Sequence, residues 1–154
     1  FTPTVANVRP TRRGEINIIS SDSREKPKIK MNYLSTVDDR KVAADGLRLV
    51  RDIVFKSETF KKFDPEELRP GSQYQSDEEL VQEGSKFTQT IFHPVGTCKM
   101  GNDENSVVDD KLKVHGIHNL RIIDASIMPN ITSGNTNAPT IMIAEKGADM
   151  ILKN

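Results

Sequence analysis

A helix that is apolar on almost every side ends this chain and limits what the rest can fold into. Residues 138–152 carry its pattern, and the consecutive apolar residues 141–144 cover every face of one helical turn. Such a helix belongs in the interior of a domain. Pro139 suits its first turn, where a backbone amide would have no partner within the helix. The sequence therefore predicts a polar loop, 133–137, at the N-terminus of a buried helix.

The composition allows one domain with a modest core. The chain has 154 residues, of which 35% are hydrophobic and 5% aromatic, without tryptophan. Lysine plus arginine and aspartate plus glutamate balance at 22 each, which argues against a nucleic-acid partner. The single cysteine excludes an internal disulfide, and no apolar run reaches the ~18 residues of a transmembrane helix. Because the chain opens on Phe1 without methionine, we expect a segment of a longer protein.

The first third predicts a small antiparallel sheet followed by a helix. Alternating polar and apolar residues indicate short strands at 4–9, 15–19 and 28–31. Ser35 or Thr36 can cap a helix that continues to about residue 54, laid on this sheet.

The middle of the chain predicts connecting structure that leads to one histidine. We expect a surface excursion at 57–72 and a short helix from Ser76, with Glu79 completing a capping box. The β-branched and aromatic residues of 86–92 favour a strand that delivers His93. A polar connection with a small hairpin follows at 101–119, then a buried strand at 120–123. The only domain boundary expected lies near 92–102.

Three polar positions are candidates for chemistry. A neutral imidazole at His93 can accept a proton from a hydroxyl, although a structural histidine bonded to a carbonyl fits the spacing better on its own. Asn137 suits helix capping, whereas Asn135 lies further out and can face a ligand. Asp124 follows the strand at 120–123, where strand ends border ligand crevices. A turn in which Asp124 bonds Ser126 is an equal alternative.

The remaining reactive residues have simpler interpretations. Cys98 has no neighbouring basic cluster or helix start to activate its thiol, so we expect a small buried residue. His115 and His118 have the spacing of metal ligands but no further ligand pattern, so we predict no metal site.

Long, ordered matches make the chain resemble a known family. The strongest segments are F-H-P-V-G-T-C-K-M-G (92–101), V-V-D-D-K-L-K-V-H-G-I-H-N-L-R-I-I-D-A-S-I-M-P (107–129) and S-G-N-T-N-A-P-T-I-M-I-A-E-K-G-A-D-M-I (133–151), with weaker ones at 9–22 and 30–34. They resemble the C-terminal part of the glucose–methanol–choline (GMC) flavoprotein oxidoreductases. The sequences of these segments most resemble the insect glucose-dehydrogenase-like and bacterial choline-dehydrogenase-like branches.

The resemblance implies an α+β fragment made of two portions. Residues 1–92 would belong to a substrate-binding domain with an antiparallel sheet and packed helices. Residues 93–154 would form the active-site loop and return to a Rossmann-type FAD-binding domain, contributing a C-terminal strand and helix. The dinucleotide fingerprint would lie in an N-terminal half outside this chain, so the chain alone should bind FAD poorly.

The resemblance also assigns roles to individual residues. His93 matches the catalytic base of the family, which takes the hydroxyl proton while hydride passes to flavin N5, and Asn135 matches the second active-site position. Asp124 and Ala125 match the strand end near the ribityl and pyrophosphate groups of FAD. Thr136 and Asn137 fall beside the N1–C2 edge of the flavin.

These matches predict an FAD-dependent oxidoreductase acting on an alcohol or sugar. Its partners would be that small molecule, an electron acceptor such as oxygen or a quinone, and the remainder of its own chain. A non-catalytic module that binds a ligand or partner on the same scaffold is the alternative, and a lyase branch of the family is a third possibility.

Overall fold

The computed structural model describes residues 1–153, which form two compact units that meet in sequence between Ile91 and Phe92. The first unit contains β1 (Glu15–Asn17), β2 (Lys28–Lys30), α1 (Val37–Lys56), α2 (Glu58–Lys61) and α3 (Asp77–Ser85). The second contains one 3₁₀ turn (Ala125–Ile127) and α4 (Asn137–Leu152). The α+β class expected from the sequence is confirmed at this coarse level.

The antiparallel sheet of the first unit is a short hairpin. Strands β1 and β2 pair in antiparallel register, with Ile16 opposite Ile29, and every residue of both strands is exposed. The predicted strand at 4–9 does not form, and that prediction is wrong. This segment instead lies beside the start of α1, where the Asn7 side chain donates from Nδ2 to Asp39 Oδ1 over 3.1 Å.

Helix α1 begins as the sequence predicts. Thr36 is its N-cap, and the Thr36 hydroxyl accepts a hydrogen bond from the Asp39 amide over 3.2 Å. α1 packs against α3, and Ala44, Val54 and Leu80 are the buried apolar side chains of this pair. The predicted capping box of α3 is confirmed, since Ser76 and Glu79 bond each other's backbone amides.

The surface segment predicted at 57–72 is bonded to helix α1, which its charged composition does not indicate. Glu67 within it forms a bidentate pair with Arg51 of α1, at 2.9 and 3.0 Å, and both side chains are nearly buried. Arg51 also donates to the carbonyls of Gly71 and Tyr74. One guanidinium therefore ties this charged segment to the helix.

The strand predicted at 86–92 is absent, and this prediction is wrong. The start of the segment is bonded to the end of α3 instead. The Lys86 amide donates to the Glu83 carbonyl, and the Phe87 amide and Thr88 hydroxyl donate to the Gly84 carbonyl. A strand needs a neighbouring ladder for its backbone groups, and no strand lies beside this segment among residues 1–153.

The second unit is built around a small apolar core. Five buried side chains form it: Val108, Leu112, Ile127, Met128 and Ile143. The predicted hairpin in 101–119 is confirmed by antiparallel bridging of Val108 with Val114. The predicted buried strand at 120–123 is wrong, because only Arg121 forms a bridge and Leu120 is 46% exposed.

Helix α4 is buried along one side only. Ile143 and Gly147 are buried, whereas Ile141 and Met142 are 55% and 58% exposed. The prediction that α4 is enclosed is therefore not met within this chain. Among the helices of residues 1–153, none combines the length and apolarity that crossing a membrane requires.

Candidate active site

His93 lies at the first bend of the second unit and contacts the start of α4. Its ring is half-buried, and the Thr136 hydroxyl oxygen lies 3.2 Å from Nδ1 of His93, within hydrogen-bond distance. This contact occupies Nδ1 and leaves Nε2 to contact another molecule, as a donor or an acceptor according to the tautomer. The structure therefore brings together two of the residues selected from the sequence.

The loop that carries His93 is fastened to the 3₁₀ turn. The amides of Gly96 and Cys98 both donate to the Ser126 carbonyl over 3.1 Å, and the Met100 amide donates to Ile127 over 2.7 Å. Gly96 has φ of +90°, so a side chain there would be strained. Sequence reasoning did not identify Ser126 as the acceptor that holds this loop.

Left-handed backbone precedes both candidate catalytic residues. Phe92 has φ of 64° directly before His93, and Ser133 has φ of 61° two residues before Asn135. Leu34 and Leu112, which lie outside this site, have similar φ values of 57° and 64°, so this conformation alone does not mark the site. Asn135 is exposed, and the space around Gly134 beside it is open.

The N-terminus of α4 has no side-chain cap. Thr136 occupies the cap position, so the interpretation of Asn137 as the cap is wrong, and Asn137 is the first helical residue. The Thr136 hydroxyl lies near His93 and does not bond the helix amides. The backbone carbonyl of Thr136 accepts a hydrogen bond from the Thr140 amide. Uncapped amides and the helix dipole together favour an anionic group at this end of α4.

Asp124 has a structural role at the other candidate cofactor position. Its Oδ1 accepts a hydrogen bond from the Ser126 amide over 2.7 Å, which caps the 3₁₀ turn. Of the two interpretations left open by the sequence, the turn is present. Asp124 is nevertheless exposed, so its second oxygen can accept a bond from a ligand. The neighbouring Ala125 packs against the core.

The other reactive residues do not gather into a site. His115 Nε2 lies 2.9 Å from the Gly101 carbonyl, and Cys98 is half-buried. Within residues 1–153 no three metal-ligating side chains cluster together. A surface depression on the hairpin, lined by Asp109 and residues 113–121, contains neither His93 nor Asn135.

Residues 10–144 match the family model described as GMC oxidoreductase. The chain belongs to the GMC oxidoreductase family. Two curated GMC relatives are an alcohol dehydrogenase [acceptor] of Pseudomonas putida, 44% identical over 99% of this chain, and an oxygen-dependent choline dehydrogenase of Pseudomonas syringae pv. tomato, 46% identical over 98%. The chain covers 28% and 26% of these proteins, about a quarter of their length.

Solved GMC structures share the fold of this chain. A pyridoxine 4-oxidase from Mesorbium loti superposes with a TM-score of 0.88 at 33% identity, covering 96% of this chain and 28% of the oxidase. An Aspergillus oryzae formate oxidase, in a structure concerned with FAD modification, gives 0.84 at 37% identity, with 94% and 25% covered. The expectation of an FAD-dependent family is confirmed, as is the similarity to choline dehydrogenases.

Proposed function

We propose that this chain is the C-terminal substrate-binding and active-site segment of a longer FAD-dependent oxidoreductase that oxidises the CH–OH group of an alcohol or sugar. Membership of the GMC family supports this proposal, as do relatives named for alcohol and choline oxidation. An acceptor such as oxygen or a quinone would then reoxidise the cofactor.

The observation that carries the proposal is the contact between His93 and the uncapped start of α4. A potential base and an anion-stabilising helix end meet through the 3.2 Å approach of Thr136 to the imidazole. In alcohol oxidation a base takes the hydroxyl proton while hydride leaves the adjacent carbon for the cofactor, and the helix end would stabilise the negative charge of the reduced cofactor.

His93 and Asn135 have separate roles in this proposal. His93 Nε2 accepts the proton of the substrate hydroxyl, which requires the neutral imidazole. Asn135 donates a hydrogen bond from its amide to the same oxygen and fixes its orientation.

The residues around α4 fit a flavin cofactor. When bound, FAD supplies the acceptor for the substrate hydride at N5. The free amides at Asn137 and Ala138 and the positive end of α4 would hold the N1–C2 edge, with Thr136 beside it. The remaining carboxylate oxygen of Asp124 would accept a hydrogen bond from a ribityl hydroxyl, and the backbone amide of Ala125 would face the pyrophosphate.

The two portions of the chain would serve different domains. We assign residues 1–92 to the substrate-binding domain, and residues 93–154 to the active-site loop and the return to a Rossmann-type FAD-binding domain. The strands of that domain would come from the rest of the protein. The exposed surface of α4 and the open surroundings of Gly134 support such completion.

Substitution of His93 in the full-length enzyme tests the mechanism. His93→Ala should leave FAD bound and slow its reduction by the alcohol by about 10²–10⁴-fold. Asn135→Ala should cost less, because it removes a hydrogen bond and leaves the proton acceptor in place. Stopped-flow decay of flavin absorbance measures both effects.

His118→Ala is a matched control, because this histidine lies in the exposed hairpin loop. It should reduce flavin at the wild-type rate. Flavin reduction at the wild-type rate in His93→Ala would contradict the proposed base. A full-length protein that binds FAD but whose flavin no alcohol or sugar bleaches would favour the non-catalytic alternative.

A further inference from the structure

We propose that Thr136 is a positioning residue that fixes the tautomer and ring orientation of His93, an inference that rests on the proposed function. Family resemblance placed Thr136 beside the cofactor. The geometry points its hydroxyl at the imidazole, with Thr136 Oγ1 3.2 Å from His93 Nδ1. Backbone contact with a cofactor and side-chain contact with His93 are compatible, because they use different atoms.

The direction of this hydrogen bond decides whether His93 can act as a base. Neutral imidazole carries one proton, on either Nδ1 or Nε2. When Nδ1–H donates to Thr136 Oγ1, the lone pair lies on Nε2, which can then accept a proton. When the Thr136 hydroxyl donates to Nδ1, the proton lies on Nε2 and the base is blocked. A hydroxyl that accepts from Nδ1 therefore selects the reactive tautomer.

Thr136 is well held for this task. Its carbonyl accepts hydrogen bonds from both the amide and the hydroxyl of Thr140, over 3.1 and 2.6 Å. Threonine is also β-branched, so few rotamers are open to its hydroxyl. The backbone of residue 136 is thus anchored to the first turn of α4, and the oxygen is presented to His93 from a rigid position.

The hydroxyl is also diverted from the role that threonine usually plays at this position. An N-cap threonine normally accepts from an amide of its own helix, as Thr36 does in α1. Thr136 occupies the same cap position in α4 and makes no such bond. The N-terminus of α4 therefore has no side-chain cap, and the Thr136 hydroxyl faces the His93 imidazole.

Removal of the hydroxyl in the full-length holoenzyme tests the inference. Thr136→Val keeps the shape of the side chain and should slow flavin reduction at saturating alcohol about 2- to 10-fold, the worth of one hydrogen bond. FAD content and substrate affinity should stay near wild type. Thr136→Ser restores the hydroxyl and should recover the rate. In a His93→Ala background, Thr136→Val should have no further effect, because the two residues act as one unit.

Thr88→Val is the matched control, since it removes a threonine hydroxyl that bonds a helix carbonyl, that of Gly84 in α3, and has no part in the proposed site. It should lower stability but leave the rate of flavin reduction near wild type. Equal slowing by Thr136→Val with and without His93, loss of FAD, or an unchanged rate would each overturn the positioning role. An unchanged rate in His93→Ala itself would instead remove the proposed function.

Discussion

Ile123 packs against Gly147 so closely that α4 has no room for a side chain at that position. A Cβ built on Gly147 would lie 2.5 Å from Cγ2 and 2.8 Å from Cδ1 of Ile123, well inside normal contact. Ile123 directly precedes Asp124, and Gly147 lies within α4. This contact therefore sets how near α4 lies to the chain segment that carries the proposed cofactor contacts.

Gly147→Ala should separate α4 from Ile123. Overpacking costs about 1–3 kcal/mol, against roughly 1 kcal/mol gained from the better helix propensity of alanine. We expect a net loss of stability and weaker FAD retention, measured by thermal unfolding and by flavin content of the full-length protein after dialysis. Gly84→Ala in α3 is the control, because its Cβ would meet Leu47 at an ordinary 3.5 Å. A variant at Gly147 as stable as the Gly84 variant would contradict this packing argument.

The helices and their caps could be predicted because their signals are local. Thr36 and Ser76 cap helices whose apolar residues follow within a few positions. The strands at 4–9, 86–92 and 120–123 were overpredicted, because alternation reports which side chains could face a core but not whether a partner strand exists. Residues 86–88 are an example. Their hydrogen-bond donors bond carbonyls at the end of α3 and do not pair with a neighbouring strand.

The sequence selected candidate residues for the site but did not indicate which of them are in contact. His93 and Thr136 are 43 residues apart, and nothing in either local pattern indicates that they meet. The same holds for the Ser126 carbonyl, which holds the loop of His93 through Gly96 and Cys98. These contacts depend on how the loop and the 3₁₀ turn pack together, which family motifs place only approximately.

Asp124→Asn distinguishes a turn residue from a cofactor contact. Asparagine keeps an oxygen to accept from the Ser126 amide, which Asp124 bonds at 2.7 Å, but loses the charge and one acceptor. If Asp124 also bonds FAD, affinity should fall by on the order of 1–3 kcal/mol. Flavin content of the full-length protein after dialysis measures this. Wild-type FAD content in Asp124→Asn, with loss only in Asp124→Ala, would mean that the turn is its whole role.

Asp39 should make the start of α1 sensitive to acid. Burial raises the pKa of this carboxyl, but hydrogen bonds from the Thr11 and Arg12 amides and the Thr11 hydroxyl outweigh it and hold the pKa below its ordinary value of 3.8. Because the folded pKa is lowered, the stabilisation is complete above that ordinary value. It is lost as pH falls through the lower folded pKa.

Amide hydrogen exchange in the full-length protein tests the Asp39 prediction. Asp39→Asn should speed exchange at residues 7–12 and in the first turn of α1 near neutral pH. Its difference from wild type should shrink as pH falls below about 4, where the wild-type carboxylate also becomes protonated. Asp38→Asn is the control, since Asp38 is exposed in the same turn. A difference between wild type and Asp39→Asn that stays constant down to pH 2 would show that charge is not the cause.

The exposed apolar side of α4 should make this chain behave differently alone and within a longer protein. Ile141, Met142, Ile151 and Leu152 are between 52% and 85% exposed here. Exposed apolar groups of this kind promote association, so the isolated chain should self-associate and bind a hydrophobic dye.

Met142→Lys should reduce both the self-association and the dye binding of the isolated chain. In the full-length protein the same change should destabilise the fold, because a charge would enter a covered surface. Light scattering and thermal unfolding measure the two arms, and Glu145→Lys, a charged position on the same helix, controls for added positive charge. A monomeric isolated chain, together with a full-length protein indifferent to Met142→Lys, would mean that nothing covers this side of α4.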